Sequence, residues 1–492
     1  MPGEGTAAPE RLLRDLVSAL EARDPGWILL EGPAGTGKST LLADALERSG
    51  GILFHAAPLT EHDLLEDFQA LLRREFGRLP KPEGPGVLPD PGGVPGWANL
   101  LLGLVDEARR RGGVPLVIAF DGWPILRATR RRLEGELARA LERAADRRAP
   151  VHFVLVDEGS GALEGSPLPP PQAVLRTGAL SFRAAARAQG GREPWGAFLR
   201  WACLGGDPAH LPVDGAGMEW DETVRRRVLS VGGDLHDRPL ALLTARYQRP
   251  ARYASLLRAL AEGARDWASL RRRARGIESG GQMAPYLQRL EADGFIRTER
   301  PLGARPNSRN RRYRIRDPFL AFWFACVLPE RSVLARTRDP EFVWREGVRP
   351  RLETHLGRWL PVAVEEWFVH HADERLPAPA REVGGVWGDD TEFQVVGWLT
   401  NGQICYVSSR WSREVSSAEV FEELKGDMAR TRYGIGRQAR TPVLVLPGGA
   451  DPELRRRIAG DPLALTLDME DLMGRFEARD SLADQGPGAS DG

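Results

Sequence analysis

Apolar positions along the chain fall into two patterns. Short, nearly unbroken apolar runs occur at Trp27-Ile28-Leu29-Leu30, Gly51-Ile52-Leu53-Phe54-His55-Ala56, Pro115-Leu116-Val117-Ile118-Ala119-Phe120 and Val151-His152-Phe153-Val154-Leu155-Val156. They are too short for helices and rich in branched and aromatic residues, so they predict strands buried on both faces. Between them the apolar residues recur every three or four positions, over 40–46, 61–76, 97–111 and 127–147, which predicts helices. Alternating strand and helix predicts an α/β domain with a doubly wound parallel sheet. The stretch 77–96 is dense in Pro and Gly and reads as a surface insertion. From 194 to about 248 the pattern is helical, with Trp195, Phe198, Leu199, Trp201 and Leu204 clustered before Gly205-Gly206, as in a helical lid.

Further along, 251–261, 266–275 and 281–293 read as three short helices. The runs Gly294-Phe295-Ile296-Arg297 and Arg311-Arg312-Tyr313-Arg314-Ile315 read as a hairpin around a Gly/Pro/Asn turn, the layout of a winged helix. Alternation at Ile404-Cys405-Tyr406-Val407 predicts another sheet, and the chain beyond about 479 is polar and expected to be disordered. The expected divisions are 1–190, 191–248, 249–316, 317–450 and 451–492.

Composition narrows this picture. Acidic and basic side chains balance at 68 each, so recruitment of nucleic acid must come from local clustering. Cys203, Cys326 and Cys405 are far apart, with no spacing suited to a disulfide framework or structural zinc. The N-terminus lacks the basic and apolar regions of a signal peptide, and the expectation is a soluble, cytoplasmic protein with no membrane segment.

The chemistry concentrates at 32–40. Gly32-Pro33-Ala34-Gly35-Thr36-Gly37-Lys38-Ser39 is a complete G-x-x-x-x-G-K-[ST] loop, entered from a strand and left, through Thr40, into a helix. In such a loop backbone N–H groups curl around a β-phosphate, Lys38 neutralises the β/γ oxygens, and Ser39 can ligate Mg²⁺ at the positive end of the helix. ATP or GTP is the implied ligand, with ATP favoured because no guanine-reading motif is evident. Lys38 is one of only three lysines among 68 basic residues, kept where a compact ammonium fits between phosphates and a planar guanidinium does not. Asp121 ends the strand 115–120 and is the candidate second metal ligand. The following position, where many such ATPases carry a water-orienting Glu, is Gly122. Two readings stay open: slow turnover in a nucleotide-dependent switch, or a catalytic carboxylate supplied by Asp157 or Glu158 from the next strand, of which Glu158 is the named candidate.

From Arg249 to Arg316 there are 17 arginines against 6 acidic residues. Arg271, Arg272, Arg273 and Arg275 share one helix, while Arg305, Arg309, Arg311, Arg312 and Arg314 lie in the hairpin, so duplex DNA is the expected partner. The candidate recognition helix carries few base-reading side chains beyond Gln282, Gln288 and Arg289. Winged helices also dock proteins, and that alternative stands.

Together these pieces resemble the archaeal-type P-loop ATPases of prokaryotes, relatives of the AAA+ and STAND ATPases. The segments that carry the likeness are the P-loop, Ser166-Pro167-Leu168, Leu180-Ser181-Phe182-Arg183, Leu204-Gly205-Gly206-Asp207-Pro208, Arg249-Pro250-Ala251-Arg252-Tyr253 and the run from Tyr313 to Trp323. The resemblance implies an α/β fold: a P-loop NTPase parallel sheet with a helical lid, then a winged-helix domain, then a restriction-endonuclease-like α/β domain. It implies ATP and Mg²⁺ as cofactors, and homo-oligomerisation is an expected mode of assembly. The family's Tyr-Gly-Arg after Ser-Pro-Leu is replaced by Pro169-Pro170-Pro171, which removes a candidate arginine finger. In the C-terminal domain the positions of the nuclease carboxylates and lysine match Pro361, Gln394, Ser408 and Arg410. A nuclease-like shell without nuclease chemistry is therefore expected, free to serve a protein partner.

Overall fold

The computed structural model describes residues 9–32, 36–84, 95–158, 165–189, 193–210, 219–274, 276, 280–305, 307–388, 391–436 and 439–474. The fold is α/β, with a parallel sheet and a separate mixed sheet. The first sheet comprises β1 (Gly26–Glu31), β2 (Ile52–His55), β3 (Leu116–Asp121), β4 (Val151–Asp157) and β5 (Ala173–Arg176), in the order β2-β3-β4-β1-β5. Every neighbouring pair is parallel. β4 lies between β3 and β1, which sets its C-terminal end beside those of both strands.

Side-chain alternation on these strands sends Trp27, Leu29, Phe54, Phe120 and Phe153 to one face and Ile28, Leu30, Val117, Ala119 and Val154 to the other, each into its own hydrophobic cluster. Helices cover both faces, which explains why the strands read as continuous apolar runs. β5 escaped the sequence reading because its apolar run is only Ala173-Val174-Leu175, closed by the charged Arg176.

The expected helix 127–147 is two helices, Trp123–Thr129 and Leu133–Arg147. The break falls at Arg130, whose extended backbone (φ −130°) cannot continue a helix. Its guanidinium is held instead by Glu136 at 2.5 and 2.9 Å, and by Glu61.

Beyond the first sheet come the helices Phe182–Ala188, Pro194–Leu204, Trp220–Val224 and Arg238–Arg246, then Pro250–Ala261, Trp267–Arg273 and Gly280–Ala292. The antiparallel hairpin β6 (Ile296–Glu299) and β7 (Arg312–Ile315) follows them. The long helix Arg349–His371 leads to the second sheet, β8 (Ala380–Val386), β9 (Phe393–Leu399), β10 (Ile404–Ser409), β11 (Arg440–Val445) and β12 (Leu465–Leu467), in the order β12-β11-β10-β9-β8. β8, β9 and β10 are antiparallel, whereas β10, β11 and β12 are parallel.

One hydrophobic cluster runs from Leu180 to Met473 and joins the helices between 182 and 246, the three-helix region, the long helix and the inner face of the second sheet. The stretch Pro318–Thr337 is long and apolar enough to cross a membrane by length and composition, and 56% of its most apolar window is buried in this cluster. All three cysteines are buried free thiols. Half of the expected insertion, residues 85–94, and the polar tail from 475 lie outside the described residues.

Candidate functional site

β1 delivers the chain to Gly32 at the C-terminal edge of the first sheet. Gly32 has φ +157°, and a Cβ there would stand 2.3 Å from the Thr177 carbonyl oxygen, so only glycine lets the chain pass the segment that follows β5. Pro33, Ala34 and Gly35 lie outside the described residues. Thr36 shares a hydroxyl–hydroxyl hydrogen bond of 2.7 Å with Thr177. Gly37 then takes a left-handed conformation, φ +81°, and starts the helix Lys38–Ser49.

Lys38 is 8% exposed and its Nζ donates to the Gly32 carbonyl at 2.7 Å. Burial pulls its pKa below the usual lysine value, and the negative charges of Glu158, Asp121 and Asp157 partly restore it. The Ser39 hydroxyl donates to Asp121 Oδ2 at 2.7 Å. Thr40 is exposed one position further along the helix. Lys38 and Ser39, at the start of one helix, thus meet Asp121 at the end of β3, although 82 residues separate Ser39 from Asp121.

Asp157 is fully buried at the end of β4, in register with Glu31, while Glu158 is exposed just beyond it. Both carboxylates are close enough to act on Lys38 electrostatically.

Sequence reasoning missed two neighbours. Nδ1 of the exposed His55 lies 3.1 Å from Asp121 Oδ2, because β2 and β3 pair His55 with Asp121. Thr177 was missed because it lies outside any strand. The signal for His55 was its position at the end of a strand parallel to β3.

The glycine at 122 has a backbone cause. Its φ is +92°, and a Cβ there would lie 2.9 Å from the Ala56 carbonyl oxygen, so an acidic side chain is excluded on two counts. The segment 169–171 lies at the opposite end of β1, where the Pro169 carbonyl accepts from Trp27 Nε1 at 2.8 Å. An arginine in those positions would stand far from Lys38.

The Gly205-Gly206 pair is also a close-packing device. A Cβ on Gly206 would be 2.1 Å from the Leu180 carbonyl oxygen, and one on Gly205 2.3 Å from Asp317 Oδ1. Asp317 caps the helix Pro318–Phe322 through the Phe319 N–H at 3.0 Å, and burial raises its carboxyl to about 7. Pro208 reaches the loop itself, its Cγ 3.8 Å from where a Gly37 Cβ would stand.

The arginine-rich region divides into committed and exposed side chains. Pairing of β6 with β7 sets Arg297 opposite Arg314 and Glu299 opposite Arg312, so all four share the hairpin face away from buried Ile296, Tyr313 and Ile315. That face meets the C-terminal region. Arg297 and Arg314 both bind Glu365, at 2.6 and 3.0 Å, and Arg312 makes a fork to Glu392 at 2.6 and 2.8 Å while lying over the Trp387 ring. Arg312 and Arg314, counted among the arginines expected to reach DNA, are held by these carboxylates. Arg271, Arg272, Arg273, Arg305, Arg309 and Arg311 are exposed, and Arg273 also donates to the Glu262 carbonyl at 3.0 Å. Gln288 and Arg289 are exposed, with Arg289 bonded to Asp293 at 2.9 Å; Arg275 and the Gln282 side chain lie outside the described residues.

In the second sheet Gln394 is exposed on β9, Pro361 is buried in the long helix, and Arg410 beyond β10 pairs with Glu423. Among the described residues no group of three or more His, Cys, Asp or Glu side chains could hold a metal.

No family model matches the chain. An uncharacterized protein of Methanocaldococcus jannaschii is 22% identical over 172 residues, which is 35% of this chain and 38% of that relative, well under two thirds of its length. Among solved structures, a Walker-type ATPase of Pyrococcus abyssi is 21% identical with a TM-score of 0.47, over 64% of this chain and 95% of that one. Cdc6p of Pyrobaculum aerophilum is 12% identical with a TM-score of 0.30, over 66% and 94%. Drosophila ORC, solved bound to DNA, is 11% identical with a TM-score of 0.30, over 66% and 89%. Likeness at these TM-scores decides nothing about what this chain binds.

Proposed function

We propose that the chain is an ATP-binding, Mg²⁺-dependent P-loop ATPase whose nucleotide state controls the arrangement of its domains, with 249–316 acting as a winged helix on duplex DNA. The observation that carries this reading is the 2.7 Å bond from Ser39 to Asp121 beside a buried Lys38 at a helix start. A hydroxyl and a carboxylate already in contact form a hard-oxygen pair suited to Mg²⁺. Lys38, now satisfied by the Gly32 carbonyl, is placed to exchange that neutral acceptor for phosphate oxygens.

Ser39 and Asp121 would hold the ion, which when bound neutralises charge between the β- and γ-phosphates. Gly32, Pro33, Ala34, Gly35, Thr36, Gly37 and Thr40 complete the cradle and helix start. Glu158, exposed and near Lys38, is the carboxylate proposed to orient the attacking water. The C-terminal sheet is read as a nuclease-like shell that does not cut DNA.

A second reading, a nucleotide-gated switch with negligible turnover, is favoured by the geometry at Gly122, which closes the usual water-orienting position to any side chain. ATP turnover with Mg²⁺, with and without duplex DNA, for wild type beside Lys38→Ala and Glu158→Gln separates the two. DNA-stimulated turnover lost in both variants supports the ATPase. Tight ATP binding without turnover, lost only in Lys38→Ala, supports the switch.

A further inference from the structure

The loop joining β6 to β7 lies along the second sheet. Leu302 N donates to the Gly385 carbonyl at 2.9 Å, and the Leu302 side chain joins the cluster that holds Val386, Phe393 and Tyr406. A Cβ on Gly303 would be 3.5 Å from the Tyr433 ring, and Asn310 Oδ1 accepts from Trp387 Nε1 at 2.8 Å. The loop is therefore pinned near both ends, and Arg305, Arg309 and Arg311 stay exposed between and beside the pins.

Tyr433 begins a second exposed loop that borders the first. Its carbonyl accepts from Tyr406 Oη at 2.6 Å. Gly434, at φ +73°, lets the chain pass so close to Tyr406 that a Cβ would stand 2.6 Å from the phenol oxygen. This anchored turn displays Arg432 and leaves Ile435 69% exposed between two glycines. Neither 300–311 nor 431–436 contains an acidic residue, unlike the hairpin face behind them, where each arginine already has a carboxylate.

We propose that these two loops form one duplex-DNA surface, with Arg305, Arg309, Arg311 and Arg432 on backbone phosphates and Ile435 against the groove. The proposal rests on the DNA-binding reading above and goes beyond it, because half of the surface belongs to the C-terminal region. Arginines spaced along two adjoining loops track a phosphate backbone, and an apolar tip between them matches the wedge that groove-binding proteins press against base steps.

The test is fluorescence anisotropy of a labelled duplex across a salt series for wild type, Arg309→Ala, Arg432→Ala and Ile435→Ser. All three sites are exposed, and a thermal melt checks that each variant stays folded. Arg309→Ala and Arg432→Ala should each lower the slope of log K against log salt by about 0.9. Ile435→Ser should weaken binding several-fold at every salt concentration with the slope unchanged. If Arg309→Ala weakens binding while Arg432→Ala and Ile435→Ser match wild type, the composite surface is wrong and the DNA-binding reading stands. If wild type binds no duplex even at low salt, both are wrong.

Discussion

The first and second sheets have the same number of strands, and both are covered on their two faces by hydrophobic clusters. They differ at their functional edges. In the first, backbone and side-chain requirements coincide: Gly32, Gly37 and Gly122 occupy positions a Cβ or an ordinary φ would not fit, and Lys38, Ser39 and Asp121 converge beside them. In the second, the interior is equally well filled, yet Pro361, Gln394, Ser408 and Arg410 stand where the family resemblance places carboxylates and a lysine. Burial fixes which residues fill a sheet's core, while site chemistry depends on a few side chains at strand ends whose loss leaves the core intact.

The largest effect that would sharpen this contrast is on ligand binding. Lys38→Ala should weaken ATP binding by about 30-fold or more, since truncating one member of a desolvated charge pair costs about 2–5 kcal/mol. The ligand-free melting temperature should move little, because the bond lost to the Gly32 carbonyl is offset by no longer having to bury an ammonium. Calorimetric titration with ATP together with a thermal melt checks both. A variant that still binds ATP like wild type would remove the chemical distinction between the sheets.

The second effect concerns stability on the other side of the comparison. His355 is 2% exposed, its Nε2 donates to the Ala202 carbonyl at 2.7 Å, and burial pushes its pKa down to about 4. Between about pH 6.5 and 4 the unfolded histidine binds a proton that the folded one refuses. Stability should therefore fall as pH drops through this window, by ~3 kcal/mol when the loss is complete. His355 sits in the cluster shared by lid, long helix and second sheet, so acid should unfold that body first. Denaturant melts followed by hydrogen exchange at pH 7 and 4.5, for wild type and His355→Gln, test this; protection lost equally in both sheets would count against separate bodies.

A third, smaller effect probes Gly122. Gly122→Glu places the customary carboxylate after Asp121, but its φ of +92° and the Ala56 carbonyl oppose it. A loss of about 1–3 kcal/mol is expected, with no gain in ATP turnover. A stable variant with faster turnover would mean that the edge tolerates the missing group.

The first sheet was legible in sequence because its strands are buried on both faces and its site is contiguous around 32–40. Apolar runs named four of its five strands, and motif spacing named Lys38, Ser39 and Asp121. What escaped depends on pairing: His55 matters only because β2 lies beside β3, and Thr177 only because Gly32 passes it. The Arg130 helix break escaped because its cause is a backbone angle and a tertiary ion pair with Glu61. The hairpin misled for a related reason. Counting arginines could not reveal that Arg297, Arg312 and Arg314 face Glu365 and Glu392, which come from elements more than 50 residues away.

The smallest expected effect addresses the second sheet directly. Gln394→Asp returns a carboxylate to the position where the resemblance places one. Gln394 is exposed, so stability should change by less than about 0.5 kcal/mol. Magnesium affinity should remain at the background of a lone surface carboxylate, because Glu392, two positions earlier in the chain, is held in a two-bond fork by Arg312. Pro361 supplies no oxygen from its side chain, and Arg410 brings a positive charge already paired with Glu423. A hard cation needs several oxygens converging on one point, and a single substitution supplies one. Calorimetric titration of Gln394→Asp with Mg²⁺, in the Asp121→Asn background, isolates the second sheet from the first. Sub-millimolar binding there would show that the second edge still holds a metal frame and that the contrast between the two sheets is one residue deep.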